Sequence, residues 1–247
     1  MTKLSFWLLI FGLIILHSCK TKIDNPCDNH FIAGNNYLLA LDYENAQKEF
    51  KLAISIDPKN ANAYAGLAQT YFVSNDFEKS IEYFDKAIEI NPDFTFAYYS
   101  KSAAHYSSGN NEESIADLDK AIELKPDFMI ALFQRGSMRN QIGDNQGAIA
   151  DFSHVIKLKS DFTNAYFARA LSYVEIYEYQ KASDDLSRAI ELKPEFAKLY
   201  FYRGFCEISL GHTFKACEDF NKAKELGDIA AQSYIDKFCN EINPNPI

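Results

Sequence analysis

Apolar and polar positions recur along this chain with a beat of 34 residues. AIELKPDF at 121–128 returns as AIELKPEF at 189–196, and VIKLKSDF from Val155, AIEINPDF from Ala87 and AISIDPKN from Ala53 keep the same spacing. A fixed period of this size marks stacked supersecondary units, each burying an apolar face against its neighbours. Counted from Cys27, six blocks run without insertion or deletion: 27–60, 61–94, 95–128, 129–162, 163–196 and 197–230. Position 8 of the blocks carries Gly34, Ala68, Ser102, Gly136, Ala170 and Gly204, and position 20 carries Ala46, Ser80, Ser114, Ala148, Ala182 and Ala216. All are small, as two closely crossing antiparallel helices require; a bulky residue there would cost about 1–3 kcal/mol. Rings fill the complementary places, with Tyr64, Tyr98, Tyr166 and Tyr200 at position 4 and Phe50, Phe84, Phe152 and Phe220 at position 24.

The punctuation predicts two helices per block. Gly109, Gly143 and Gly211 stand where a left-handed residue ends the first helix. Pro58, Pro92, Pro126 and Pro194 end the second, and Asp93, Asp127 and Asp161 follow as candidate caps for the next helix. Over about 204 residues these features resemble the tetratricopeptide repeat (TPR), a 34-residue helix-turn-helix unit. The resemblance implies an all-α fold, a right-handed α-solenoid of six units, with residues 229–239 as a C-terminal capping helix and 240–247 as a loose tail. Departures from the pattern are His30 at position 4, then His105, Arg139 and Glu207 at position 11, where tyrosine is usual. Val155 and Ser160 replace the usual alanine and proline of block four, so the fourth-to-fifth junction is expected to be the least regular.

The first residues, MTKLSFWLLIFGLIILHSC, break with this pattern. Lys3, then an apolar run from Leu4 to Leu16 that is short for a bilayer span, then Ser18 and Cys19 read as a secretory signal over 1–18. Leu16, Ser18 and Cys19 resemble a bacterial lipobox, although His17 stands where a small residue is usual. That resemblance implies cleavage before Cys19, lipid on its sulfur, and 19–26 as a lipidated linker. An uncleaved anchor, or a plain signal with an incidental Cys19, are the alternatives. Lys20, rather than Asp, after Cys19 favours the outer membrane of a Gram-negative cell envelope. The formal net charge of −9, without any lysine–arginine cluster, argues against nucleic acid as a partner.

Catalytic chemistry has no foothold in the sequence. No HExxH, GxSxG, GxGxxG, Walker loop or CxxC occurs, so no enzyme activity, cofactor or metal is expected. His30, His105, His154 and His212 fall in different blocks at unrelated positions. Cys206 and Cys217 lie at similar distances from the Gly211 turn and either form a disulfide or pack as small apolar residues in the seam; Cys27 and Cys239 stand too far apart along the array to pair. Position 7 holds Lys101, Arg135, Arg169 and Arg203 in the same four blocks in which position 23 holds Asp117, Asp151, Asp185 and Asp219. A cation present only where its acid is present predicts a structural ion-pair ladder, each exposed pair worth about 0–1 kcal/mol.

Positions 2, 5, 9 and 12 form a stripe on each first helix, the stripe that lines the concave groove in TPR proteins. Phe31, Tyr99, Phe133, Phe167, Leu171, Val174, Phe201, Phe205 and Ile208 are its apolar members, concentrated toward the C-terminal end, whereas the N-terminal blocks show Asn35, Asn62 and Gln69. Such a wall suits a helix or an extended peptide of a protein partner. The chain therefore reads as a non-catalytic scaffold lipoprotein that binds other proteins through its groove, held to the membrane by its N-terminal lipid. The alternative reading is an envelope receptor for an apolar peptide or small ligand near Phe201. A carboxylate clamp is not expected, since Lys198 alone supplies positive charge of the kind such a clamp uses at concave positions 2, 5, 6 and 9.

Overall fold

A computed structural model describes residues 26–239, and all thirteen elements among them are α-helices. The expected signal over 1–18, Cys19 with all of the expected linker but Pro26, and the expected tail 240–247 lie outside the described residues. The chain divides into two compact units at Pro126 and Asp127. In the first, α1 (Pro26–Leu39) pairs with α2 (Tyr43–Ile56), α3 (Ala61–Val73) with α4 (Phe77–Ile90), and α5 (Thr95–Ser107) with α6 (Asn111–Leu124). In the second, α7 (Met129–Gln141) pairs with α8 (Asn145–Leu158), α9 (Thr163–Glu175) with α10 (Tyr179–Leu192), and α11 (Ala197–Ser209) with α12 (Thr213–Glu225), followed by α13 (Ala231–Phe238).

Each pair crosses where a small residue meets a ring. Phe50, Phe84, Phe152 and Phe220 are fully buried, and so are the small residues of position 20. A Cβ added to Gly34, Gly136 or Gly204 would come within 2.7, 2.9 and 2.8 Å of the phenylalanine of its own block. Real Cβ atoms do not approach so closely, so position 8 is set by the ring at position 24. The fourth-to-fifth link makes the same turn as the second-to-third and fifth-to-sixth, Phe162 N–H donating to the Lys159 carbonyl as Phe94 does to Asn91 and Phe196 to Lys193, contrary to the expectation from Val155 and Ser160. Val155 is buried like the alanines it replaces, and Tyr166 Oη donates to the Ser160 carbonyl at 3.3 Å across the link.

Turn chemistry is more uniform than the sequence. The residue ending the first helix has positive φ in all six blocks, at Gly109, Gly143 and Gly211 but also at Leu41 (62°), Asn75 (60°) and Tyr177 (62°). A left-handed conformation costs a residue with a Cβ about 1–2 kcal/mol, partly offset because glycine loses more freedom on folding. Leu41→Gly is therefore expected to stabilise the first unit by about 0.5–1 kcal/mol, read as a higher urea midpoint; an unchanged or lower midpoint would remove this account of the turn.

The caps differ from expectation. Asp93, Asp127 and Asp161 stand one residue too early. The N-cap residues are Phe94, Phe128 and Phe162, and none of these makes a side-chain cap bond. Side-chain caps instead serve mostly the second helices, where Asp42, Asp76 and Asp144 accept from the backbone N–H of Asn45, Lys79 and Gly147. Cys217 pairs with Cys239 rather than with Cys206, which ties the end of α13 to α12. Cys206 forms no disulfide, and burial, with Glu207 adding to it, pushes its thiol pKa up to about 12.

Candidate interaction face

The ladder seam lies between the two helices of a block. Arg169 forks onto Asp185, with Nε to Oδ2 at 2.8 Å and Nη2 to Oδ1 at 2.7 Å, and its Nη1 donates to Ser153 Oγ at 2.9 Å. Arg203 repeats this on Asp219 and Ser187, and Arg135 forks onto Asp151. In the first unit Lys101 bridges Asp117 (3.1 Å) and Asp85 (2.9 Å). These are not the exposed pairs the sequence suggests, because Asp117, Asp151, Asp185 and Asp219 retain only 7, 3, 6 and 4% of their surface. Asp185 raises the pKa of Arg169, and Asp219 that of Arg203, against the opposing effect of burial.

The departures at position 11 belong to the same seam. His105 Nδ1 lies 2.8 Å from Asp117, and Arg139 Nη1 donates to Asp151 at 3.0 Å. In block two rings replace the ions, with Tyr71 stacked on Tyr83 at 5.3 Å. Glu207 is buried and joins three helices, accepting from Ser183 of α10 (2.6 Å) and Lys215 of α12 (2.7 Å), with His212 at 2.8 Å. Burial opposes its charge, but Lys215, Ser183 and His212 outweigh burial and hold the carboxyl pKa below its ordinary value. A carboxyl depressed in the folded state adds stability above the unfolded pKa of about 4.3 and loses it as pH falls through the folded value. The second unit should therefore weaken below about pH 4.3, and Glu207→Gln should flatten that acid limb in urea titrations at a series of pH values. An unchanged limb would place the acid sensitivity elsewhere.

The apolar stripe is narrower than the sequence implies. Phe31 and Tyr99 are buried, at 6 and 1% exposure, so in the first unit neither lines an open wall. Phe31 packs on Phe50 at 6.0 Å. Gln69 is buried too, and its Oε1 has no hydrogen-bond partner among the described residues. In the second unit the position-5 rings turn into the seams. Phe133 packs on Phe152 (5.5 Å) and Phe162 (5.4 Å), Phe167 on Phe196 (5.8 Å) and Tyr202 (5.5 Å), and Phe201 on Phe220 (6.0 Å). The reason is angular: position 5 falls three residues before the small residue of position 8, on the side of the helix that meets the ring of position 24.

The chain's own last helix covers part of the remainder. Tyr234 of α13 meets Phe201 at 5.0 Å and Phe205 at 6.5 Å, in a row that continues through Tyr179 to exposed Tyr177. Leu171, Val174 and Ile208 stay half-buried on α9 and α11. An open pocket of about 370 Å³ where α11 meets the link into α13 is lined by Lys198, Phe201, Tyr202 and residues 227–230, with Ile229 almost wholly exposed at its rim. Phe201 and Lys198 of this pocket stand on the stripe read from the sequence, whereas residues 227–230, the link into the cap, carry no motif that would announce their part in it. The arrangement can hold an apolar side chain beside a lysine. Among the described residues no cluster of metal-ligating side chains occurs, and no helix is long and apolar enough to cross a membrane.

Known structures share this architecture. YrrB, described as a TPR protein with an unusual peptide-binding site, superposes with a TM-score of 0.70 at 19% identity, covering 76% of this chain and 97% of its own. PilF of Pseudomonas aeruginosa gives 0.67 at 19% identity, covering 85% and 97%, and MamA of Desulfovibrio magneticus RS-1 gives 0.63 at 21%, covering 67% and 94%. At these identities the likeness concerns the fold. No curated protein sequence matches the chain. Two tetratricopeptide repeat family models match it, one at 61–94 and the other at 30–60, 97–128 and 163–196, together more than half of its length. With stacked helix pairs and a small-residue crossing in register with those matches, the chain belongs to the tetratricopeptide repeat family.

Proposed function

We infer that this protein is a non-catalytic scaffold of the bacterial cell envelope, anchored by lipid on Cys19, that docks an apolar segment of a protein partner on α9 and α11. The observation that carries the reading is the half-buried aliphatic set Leu171, Val174 and Ile208; α11 also contributes Lys198 and Phe201 to the pocket. Helical-repeat surfaces of this kind take a helix or an extended peptide, whose apolar side chains supply affinity while lysine fixes register. The Cys217–Cys239 disulfide supports export, since such bonds persist in oxidising compartments. The peptide-binding site in the description of YrrB favours the same use of the fold.

Phe167, Phe201 and Phe205 are poor probes of binding, because they also pack against other rings. Leu171→Ser with Ile208→Ser removes apolar contact without touching that network. Capture of partners from solubilised envelopes should fall on the order of tenfold or more while helicity stays unchanged. Equal capture by the variant and the parent chain would place the docking surface elsewhere. Metabolic palmitate labelling, lost in Cys19→Ala, tests the anchor separately. A second reading, a receptor for an apolar peptide or small ligand, is favoured by the pocket at Phe201; a stoichiometric small molecule co-purifying with the protein would select it.

A further inference from the structure

The first block concentrates exposed aliphatic side chains on one face. Ile32 and Leu39 on α1 are 42 and 55% exposed, and Leu52 and Ile56 on α2 are 45 and 46% exposed. They hold repeat positions 6, 13, 26 and 30. One block later these positions face backward along the array or are buried. A Cβ on Gly66 would come within 2.5 Å of the Phe50 ring, Val73 is buried, and Lys86 and Ile90 border a pocket with Pro58 and Lys59 of the link that leads into α3. By the same register Ile32, Leu39, Leu52 and Ile56 face the side on which, among the described residues, no block precedes. The outward face of a terminal repeat is ordinarily polar, because it meets water. Here it is aliphatic.

The sequence ahead of α1 says what meets that face. The apolar run ends at Leu16 and Cys19 follows, ten and seven residues before Pro26. Extended chain covers at most about 3.5 Å per residue, so whether lipid on Cys19 or a retained apolar run holds the membrane, α1 begins within roughly 35 Å of it. Lys20 and Lys22 in this tether suit anionic headgroups. We propose that the outward face of the first block, formed by Ile32, Leu39, Leu52 and Ile56, rests on the lipid surface to which the chain is tethered. This rests on the anchoring reading above and adds an orientation to it: the anchor supplies attachment, and the aliphatic face seats the first block against the bilayer instead of leaving it to swing on the tether.

The sole tryptophan of the chain is Trp7, within the signal, so a tryptophan placed in the folded part reports its surroundings against a background set by the parent chain. Leu39→Trp, Leu52→Trp and, as a control in the other unit, Ile229→Trp are made in the full chain, expressed in a lipoprotein-processing host. Each is reconstituted into phosphatidylethanolamine–phosphatidylglycerol vesicles in which part of the acyl chains carry bromine. Side chains seated at the headgroup–acyl boundary lie within quenching range of such chains, so both first-block tryptophans should lose about half or more of their emission while the control keeps its own. Vesicle flotation with no quenching at either first-block site overturns the inference and leaves the anchor standing. Equal quenching at all three sites overturns it as well, and so does an unquenched face that instead supports concentration-dependent dimers. Failure to float removes the anchor and this inference together.

Discussion

Phe152→Ala is expected to cost the second unit about 3–5 kcal/mol, because the ring is fully buried and fills the crossing against Gly136. No neighbour can take its place. Gly136 has no side chain to extend, Phe133 is already committed to the rings of Phe152 and Phe162, and Ala148 across the seam is small. The void should therefore stay open, and the urea midpoint should fall steeply. The converse change is equally informative: Gly136→Ala puts a methyl within 2.9 Å of the ring, and about 1–3 kcal/mol is expected from overpacking. Were Phe152→Ala to cost under about 1 kcal/mol, the crossing would not be the organising contact of the block.

The second large effect concerns the ladder. Arg169→Met should cost about 2–4 kcal/mol, chiefly because it leaves the carboxylate of Asp185 buried with neither the fork nor a substitute. The double variant Arg169→Met with Asp185→Leu should recover most of that loss, because buried pairs replaced by apolar groups of similar volume are often neutral. The cycle between the two sites thus measures the burial of a lone charge, not the strength of a surface attraction. Simple reversal of the pair should do worse, as a transposed arginine would lose both the fork geometry and the Ser153 contact. Additive losses in the cycle, with no recovery in the double variant, would contradict this assignment.

Most of the architecture is legible in the sequence because the period repeats its own evidence six times. Small residues hold positions 8 and 20 in all six blocks, rings hold position 24 in four and glycine holds position 15 in three, and any one block alone would be ambiguous. What the sequence hides depends on side-chain direction. The rings of Phe133, Phe167 and Phe201 look like groove residues from spacing alone, yet position 5 lies nearly one turn before the small residue of position 8 and so shares its side, which faces the seam. Position 11 looks irregular at His105, Arg139 and Glu207 until each is seen to meet a buried or partly buried polar partner. The Cys217–Cys239 bond also escapes, since pairing depends on how α13 folds back over α12 and not on distance from a turn. The cap contact by Tyr234 was foreseeable in one respect: it occupies position 4 of what would be a seventh block, the place held elsewhere by tyrosine.

The proposed docking face on α9 and α11 is tested most directly by a photo-activatable cross-linker placed at Leu171 and at Ile208 of the chain in living cells, with exposed Lys193 as the control position. Discrete adducts with the same partner from Leu171 and Ile208, and none from Lys193, are the expected result. Adducts from Lys193 alone, or indistinguishable from all three positions, would contradict it.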